Sequence, residues 1–141
     1  MDINSLDRFL TAQEHVFDLA LGEIRRGHKR SHWMWYIFPQ LRSLGKSQRS
    51  FVYGIADLDE AKRYLAHPIL GCRLTEISNI LLSVRGKSSV EILGEIDSQK
   101  LHSSMTLFAA ISDEGSVFHK VIDMYFDGEY DSKTMEILKL N

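Results

Sequence analysis

The feature that most constrains the fold is a stripe of large apolar residues at helical spacing near the middle of the chain. The stripe consists of Leu70, Leu74, Ile77 and Leu81. Residues three or four positions apart share one face of a helix, so this segment is predicted to be a helix with one buried side. Pro68 favours the start of that helix and Gly86 favours its end.

Similar spacing recurs along most of the sequence. The first such pattern consists of Phe9, Val16, Ala20 and Ile24 and predicts one helix over about residues 6–26. Acceptor side chains suited to capping a helix precede several later apolar runs; they are Asp57, Ser88 or Ser89, Asp97, Ser116 and Asp131. Together these patterns predict an all-α fold with six or seven helices.

Residues 31–38 favour two different structures. Trp33, Trp35 and Phe38 have high strand preference, whereas Ser31 resembles a helix cap and Pro39 a helix stop. A lone strand has no partner with which to pair, and no second alternating apolar run stands out. We therefore predict a short helix.

Size and composition predict a single compact domain covering residues 1–141. The chain has 141 residues and 44% hydrophobic residues, enough for one ordinary core. No apolar run approaches the roughly 20 residues of a membrane span. The first residues carry Asp2 and Asp7 in place of the basic and then apolar pattern of a signal peptide, so we expect a cytoplasmic protein without membrane association. Cys72 is the sole cysteine and is expected to be a small buried hydrophobe.

The net charge of −2 conceals a basic stretch. Seven of the 17 Lys and Arg residues lie in residues 25–49, which contain no Asp or Glu. Within this stretch, residues 29–40 form what we call the basic aromatic segment. Its Lys29 could neutralise phosphate, the amides after Ser31 could donate to phosphate at a helix start, and Trp33 or Trp35 could stack on a base. His32 could act as an acid or base near neutral pH.

A second candidate, the polar segment, covers residues 97–106. Lys100, Ser103 and Ser104 are predicted to share a helix face, and Thr106 follows them. Serine and threonine are mediocre helix formers, so their clustering indicates bonding to something specific. The alternative is that these hydroxyls bond to their own helix carbonyls.

Several other functions are disfavoured. The chain has no phosphate-binding P-loop and no Gly-x-Gly-x-x-Gly pattern, so no cofactor is predicted. His28 and His32 form the sole His-x-x-x-His pair and straddle a predicted break, so no metal site is predicted. A pI near 6.3 and the lack of a binding motif argue against nucleic acid, and the oligomeric state is left open.

Two long blocks of sequence resemble a known family. They are Gly27-x-Lys29-x-Ser31-His32-Trp33-Met34-Trp35-x-Ile37-Phe38-Pro39-Gln40 and Asp97-x-x-Lys100-Leu101-x-Ser103-Ser104-Met105-Thr106-Leu107-Phe108. They are similar to the bacterial family called domain of unknown function (DUF) 1810. The resemblance implies a small all-helical fold and leaves the function open.

Two shorter fragments resemble the NADAR proteins, helical enzymes that cleave an N-glycosidic bond in ADP-ribose derivatives. They are Glu14-His15-x-Phe17 and His67-Pro68-x-Leu70. This resemblance implies that Glu14 is an acid or base and that the basic aromatic segment holds a pyrophosphate and a base.

The leading hypothesis is therefore a domain that binds a phosphorylated, nucleotide-derived small molecule between the two segments. Its candidate ligand-binding residues are Lys29, Ser31, His32, Trp33, Trp35, Gln40, Lys100, Ser103, Ser104 and Thr106. An extension of this hypothesis is N-glycosidic hydrolysis, with His32 and Glu14 as catalytic candidates. The alternative is a non-enzymatic protein-interaction module with an aromatic core and a basic surface patch. Open indoles would favour the first hypothesis and enclosed indoles the second.

Overall fold

A computed structural model describes residues 5–139, which form ten α-helices and one 3-10 turn at Arg42–Leu44. The helices are α1 (Asp7–Gln13), α2 (Phe17–Arg25), α3 (Met34–Ile37), α4 (Gln48–Tyr53), α5 (Leu58–Ala66), α6 (Leu70–Ser83), α7 (Ser89–Leu93), α8 (Glu95–Ala110), α9 (Val117–Phe126) and α10 (Ser132–Lys139). No strand occurs within these residues, and one isolated bridge joins Leu41 and Ile55 in parallel. The all-α class is confirmed, but the count of six or seven helices is wrong.

The additional helices have two physical origins. The predicted helix over residues 6–26 divides into α1 and α2, because α1 packs on α3 and α4 while α2 packs on α6. Helix α4 has only six residues, too few for a periodic pattern, and depends on a local cap in which Ser47 accepts from the Ser50 amide at 3.1 Å.

The apolar stripe of α6 is confirmed as core. All four of its residues are at most 1% exposed, and α6 packs against α2, α5 and α9. Helix α8 lies against α5, α7, α9 and α10. Aromatic rings connect these layers: the Tyr64 ring centre lies 5.0 Å from that of Phe9 and 5.6 Å from that of Phe108.

Most predicted helix caps are confirmed. Side chains that accept from the amide three positions later are those of Asp57, Ser88, Ser116 and Asp131. The predicted cap at Asp97 is wrong, because α8 begins at Glu95 after Gly94, whose φ of +91° favours glycine. Asp97 therefore lies in the first turn of α8, where its carboxylate is available for ion pairs.

Cys72 is also a correction, since it is exposed and not buried. Its neighbour Gly71 explains the orientation: a Cβ on Gly71 would lie only 2.0 Å from the Leu65 carbonyl oxygen, so that face of α6 is pressed against α5. Cys72, about 100° further around the helix, faces outward.

An ion pair that the sequence pattern does not reveal joins α1 to α5. The fully buried Arg8 guanidinium lies 2.9 Å from Oε1 and 3.2 Å from Oε2 of Glu60, which is 1% exposed. It also donates to the carbonyl oxygens of Ser5, Val52 and Gly54. Every guanidinium nitrogen therefore has a partner, which offsets the cost of burying the charge.

No helix between residues 5 and 139 has the length and apolar character needed to cross a membrane.

We expect Arg8→Met to lower the free energy of unfolding by about 3 to 5 kcal/mol, because it leaves the Glu60 carboxylate buried without its counter-charge. Urea denaturation would measure the change. Lys62→Met is the control, since Lys62 lies at an exposed position of α5 and surface substitutions of this kind usually change stability by less than about 0.5 kcal/mol. A loss below about 1 kcal/mol for Arg8→Met would contradict this account.

Candidate functional site

An open cleft of about 1120 Å³ lies between the segment containing α3 and α4, the first half of α8, and the turn before α10. We call it the main cleft. Its lining consists of Trp35, Gln40, Leu44, Gly45, Lys46, Ser47, Ser50, Glu95, Ile96, Gln99, Lys100, His102, Ser103, Glu129, Tyr130, Asp131, Ser132 and Lys133. Four of the sequence-predicted site residues, Trp35, Gln40, Lys100 and Ser103, are brought together here.

Trp35 gives the main cleft an aromatic surface. The indole is half-buried, and the Lys100 ammonium nitrogen lies 4.1 Å from its ring centre. The guanidinium carbon of the exposed Arg49 lies 5.2 Å from the same ring. These are cation–π distances, so the basic aromatic and polar segments meet at Trp35.

Trp33 has the opposite environment. It is fully buried, its indole N–H donates to Glu23 Oε1 at 2.9 Å, and its ring centre is 6.3 Å from that of Phe38. No ring face is open to a ligand, which corrects its place among the stacking candidates. The two indoles thus divide between the alternatives drawn from the sequence: Trp33 is core and Trp35 lines a cleft.

The Glu23 carboxylate fixes the turn that leads into α3. Oε1 accepts from the amides of Arg30 and Ser31 at 2.8 and 3.0 Å in addition to the Trp33 indole, and Oε2 accepts from the Ser31 hydroxyl at 2.6 Å. Burial raises the pKa of Glu23, but these hydrogen bonds outweigh it and lower the pKa from 4.5 to about 2. Ser31 is therefore a partner of Glu23 and does not cap α3, so the predicted cap at Ser31 is wrong.

Lys29 is paired within the protein. Its ammonium lies 2.8 Å from Asp97 Oδ2 and 5.0 Å from the Trp33 ring centre, and its side chain is 8% exposed. Lys100 lies 3.5 Å from the other oxygen of Asp97. These residues border a smaller groove of about 550 Å³, the side groove, which is also lined by the exposed His32.

Asp131 anchors the opposite wall of the main cleft. Its Oδ1 accepts from the Gln99 side-chain amide at 2.9 Å, while Oδ2 accepts from the Ser103 hydroxyl at 3.2 Å and from the Thr134 hydroxyl at 2.6 Å. Burial raises the pKa of Asp131, but these bonds and that from the Thr134 amide lower it overall. The Asp131 amide in turn donates to Thr106 Oγ1 at 2.9 Å, so the turn is bonded to α8.

The remaining candidates lie away from the main cleft. Ser104 and Thr106 are fully buried within α8 and line neither groove, so their hydroxyls are not presented to a ligand. Glu14 is exposed at the end of α1 and also lines neither groove. Between residues 5 and 139, no three His, Cys, Asp or Glu side chains converge in a way that could hold a metal ion.

Sequence reasoning missed several cleft residues, including Lys46, Tyr130 and Lys133. Lys46 belongs to the basic stretch and could have been proposed from its charge. Tyr130 and Lys133 lie in an acidic part of the sequence and have no motif, so only the tertiary fold brings them to the cleft.

Comparison with known proteins now identifies the family. Residues 3–138 match the family described as "Protein of unknown function (DUF1810)". The chain belongs to the DUF1810 family. Both blocks that suggested this family from sequence lie inside the matched residues, and they supply Trp35, Gln40, Lys100 and Ser103 to the main cleft of this DUF1810 chain.

A solved relative has the same fold. The crystal structure of the conserved hypothetical protein Rv1873 from Mycobacterium tuberculosis is similar to this DUF1810 chain with 44% sequence identity and a TM-score of 0.94, covering 96% of this chain and 97% of that one. No curated protein matches the sequence. The NADAR resemblance is not among these findings, and neither the family description nor the relative's name states a ligand or reaction.

We expect Glu23→Gln to lower the free energy of unfolding by about 2 to 3 kcal/mol at pH 7, because the amide replaces charge-assisted hydrogen bonds and turns one acceptor into a donor. The lowered pKa means that Glu23 stabilises the fold fully above pH 4.5 and loses this effect as pH falls to about 2. The difference between wild type and variant should therefore shrink across that interval.

Chemical denaturation at pH 7, 4.5 and 3 would measure this difference. Glu76→Gln, at an exposed position of α6, is the control and should leave stability nearly unchanged. A Glu23→Gln difference that is constant over the three pH values would contradict the role assigned to the carboxylate.

Proposed function

We propose that this protein binds a phosphorylated, nucleotide-derived small molecule of the ADP-ribose type in the main cleft. The observation that carries the proposal is the half-buried Trp35 indole in an open cleft whose lining also contains three lysines. The volume of about 1120 Å³ is close to the roughly 300 to 1,000 Å³ of small-molecule sites.

The lining suits a ligand with several kinds of polar group. It contains three lysines, Lys46, Lys100 and Lys133, and three acidic residues, Glu95, Glu129 and Asp131. Lysine ammonium groups bind phosphate oxygens, whereas exposed carboxylates accept hydrogen bonds from sugar hydroxyls. A nucleotide-derived molecule carries both groups together with a ring that can stack on Trp35.

The charge of Asp131 is already matched by internal donors. Its oxygens accept from Gln99, Ser103 and Thr134, so this carboxylate serves mainly to hold the wall of the cleft. Lys46 and Lys133, by contrast, are exposed at the rim. A phosphate approaching the cleft would therefore meet these lysines first.

The extension to N-glycosidic hydrolysis has no comparable support. Glu14 does not line the main cleft, and His32 lines only the side groove. An acid or base must lie within hydrogen-bonding reach of the bond that breaks, directly or through one water. We therefore limit the proposal to binding.

The second candidate function is docking of a partner protein on the same surface. Ile96 is 74% exposed and Tyr130 is 47% exposed, and both border the main cleft. Exposed large apolar side chains beside a cleft are typical of interaction surfaces. This candidate predicts no effect of nucleotides on the protein.

A thermal-shift and calorimetric comparison of ADP-ribose, NAD, ADP, ribose 5-phosphate and inorganic phosphate would test the proposal. A ligand at a hundred times its dissociation constant adds about 2.7 kcal/mol of stability. We expect ADP-ribose to stabilise the protein and to quench the fluorescence of Trp35, with Trp35→Phe removing the quench.

Lysine variants would locate the bound phosphate. We expect Lys46→Ala and Lys133→Ala each to weaken ADP-ribose binding about three- to tenfold, because each loses one phosphate contact worth about 0.7 to 1.4 kcal/mol. Lys120→Ala, at an exposed position of α9 that lies outside the cleft lining, is the matched control. Unchanged affinity in both cleft variants, or no shift with any nucleotide, would sink the proposal in favour of a docking surface.

A further inference from the structure

Asp97 lies between two lysines where the side groove meets the main cleft. Its Oδ2 is 2.8 Å from the Lys29 ammonium and its Oδ1 is 3.5 Å from that of Lys100. We infer that Lys29 and Lys100 form a second anion subsite, for a phosphate or diphosphate group, and that the Asp97 carboxylate is a built-in competitor for it. The inference rests on the proposed function in taking the anion to be a phosphate group of the ligand.

Lys29 is part of the wall of the side groove and is largely enclosed there. Its side chain is 8% exposed, its amide donates to the Ile92 carbonyl at 2.8 Å, and its ammonium lies over the Trp33 ring. A lysine this deeply buried needs a counter-charge, since an unpaired buried ammonium is costly. Asp97 supplies that charge from the protein itself.

The two ion pairs of Asp97 differ in length. The contact to Lys29 is short and strong, whereas the 3.5 Å contact to Lys100 is at the limit of a hydrogen bond. Lys100 also lies over Trp35, and both residues line the main cleft as well as the side groove. A ligand stacked on Trp35 would therefore contact Lys100 before Lys29 and replace the weaker of the two Asp97 contacts.

A phosphate group could replace the Asp97 carboxylate chemically. Asp97 bridges the lysines by giving one oxygen to each, and a phosphate has three oxygens that can do the same. The ionised groups that line the side groove are Lys29, Lys100, Glu95 and Asp97, with a formal sum of zero. Removing the charge of Asp97 would leave one net positive charge beside Trp35.

A purely structural role for Asp97 makes the opposite prediction. If the carboxylate served only to keep Lys29 in place, its removal would loosen the groove wall and would not improve anion binding. If Asp97 competes with the anion, its removal strengthens anion binding; if Asp97 only holds Lys29 in place, its removal gives no gain in affinity.

The test is calorimetric titration of inorganic pyrophosphate into the full chain and into Asp97→Asn at low ionic strength. We expect Asp97→Asn to bind pyrophosphate at least about tenfold more tightly than wild type, a factor equivalent to about 1.4 kcal/mol. Adding Lys100→Met should abolish the gain. Asp113→Asn, an exposed acid outside both grooves, controls for the change in net charge.

Two outcomes would overturn the inference: no gain in Asp97→Asn, or an equal gain in Asp113→Asn. Asp97→Ser provides a second variant if Asp97→Asn does not fold, since it also removes the charge and its hydroxyl can accept a hydrogen bond from the Lys29 ammonium. Wild type that binds ADP-ribose through Lys46 and Lys133, combined with no gain in Asp97→Asn, would refute the subsite and leave the proposed function standing. A gain in Asp97→Asn without ADP-ribose binding would support the anion subsite and refute the proposed ligand.

Discussion

The candidate site depends on the hydrogen bonds that the Glu23 carboxylate accepts. Glu23 lies near the end of α2, is 2% exposed, and accepts four hydrogen bonds from the turn that follows. Those bonds seat the Trp33 indole in the core and fix the path of the chain into α3, and hence the position of Trp35. One buried charge thus stabilises a glycine-containing turn rich in cations, because the donors that it pairs would otherwise lack a partner.

Buried charged side chains hold two other connecting segments in the same way. Arg8 and Glu60 bind the carbonyl groups and the amide of residues 52–56, and Asp131 ties the turn before α10 to α8. Helices satisfy their own backbone groups, whereas turns between them require side-chain partners. Apolar packing therefore positions the helices, and buried carboxylates hold several connecting segments, including the turn that carries Asp131 into the main cleft.

The sequence predicted those parts of the fold that follow from local rules. The α6 stripe and the cap at Asp131 depend on residues within a few positions of one another, and both were predicted correctly. The division between α1 and α2 and the short α4 depend on long-range packing, which has no periodic signature. For the same reason Lys133 could not be assigned to the cleft from its neighbours in sequence.

The charge around the basic aromatic segment in the fold differs from the charge of the segment itself, because other helices contribute acidic side chains. The basic aromatic segment contains no acidic residue, yet Glu23 and Asp97 reach it from α2 and α8. The two indoles also have different environments: Trp33, which precedes α3, is fully buried, whereas Trp35 within α3 lines the main cleft. A cluster of cations and aromatics in sequence therefore indicates a candidate site, while the acidic partners contributed by other helices determine which of those cations are paired within the protein.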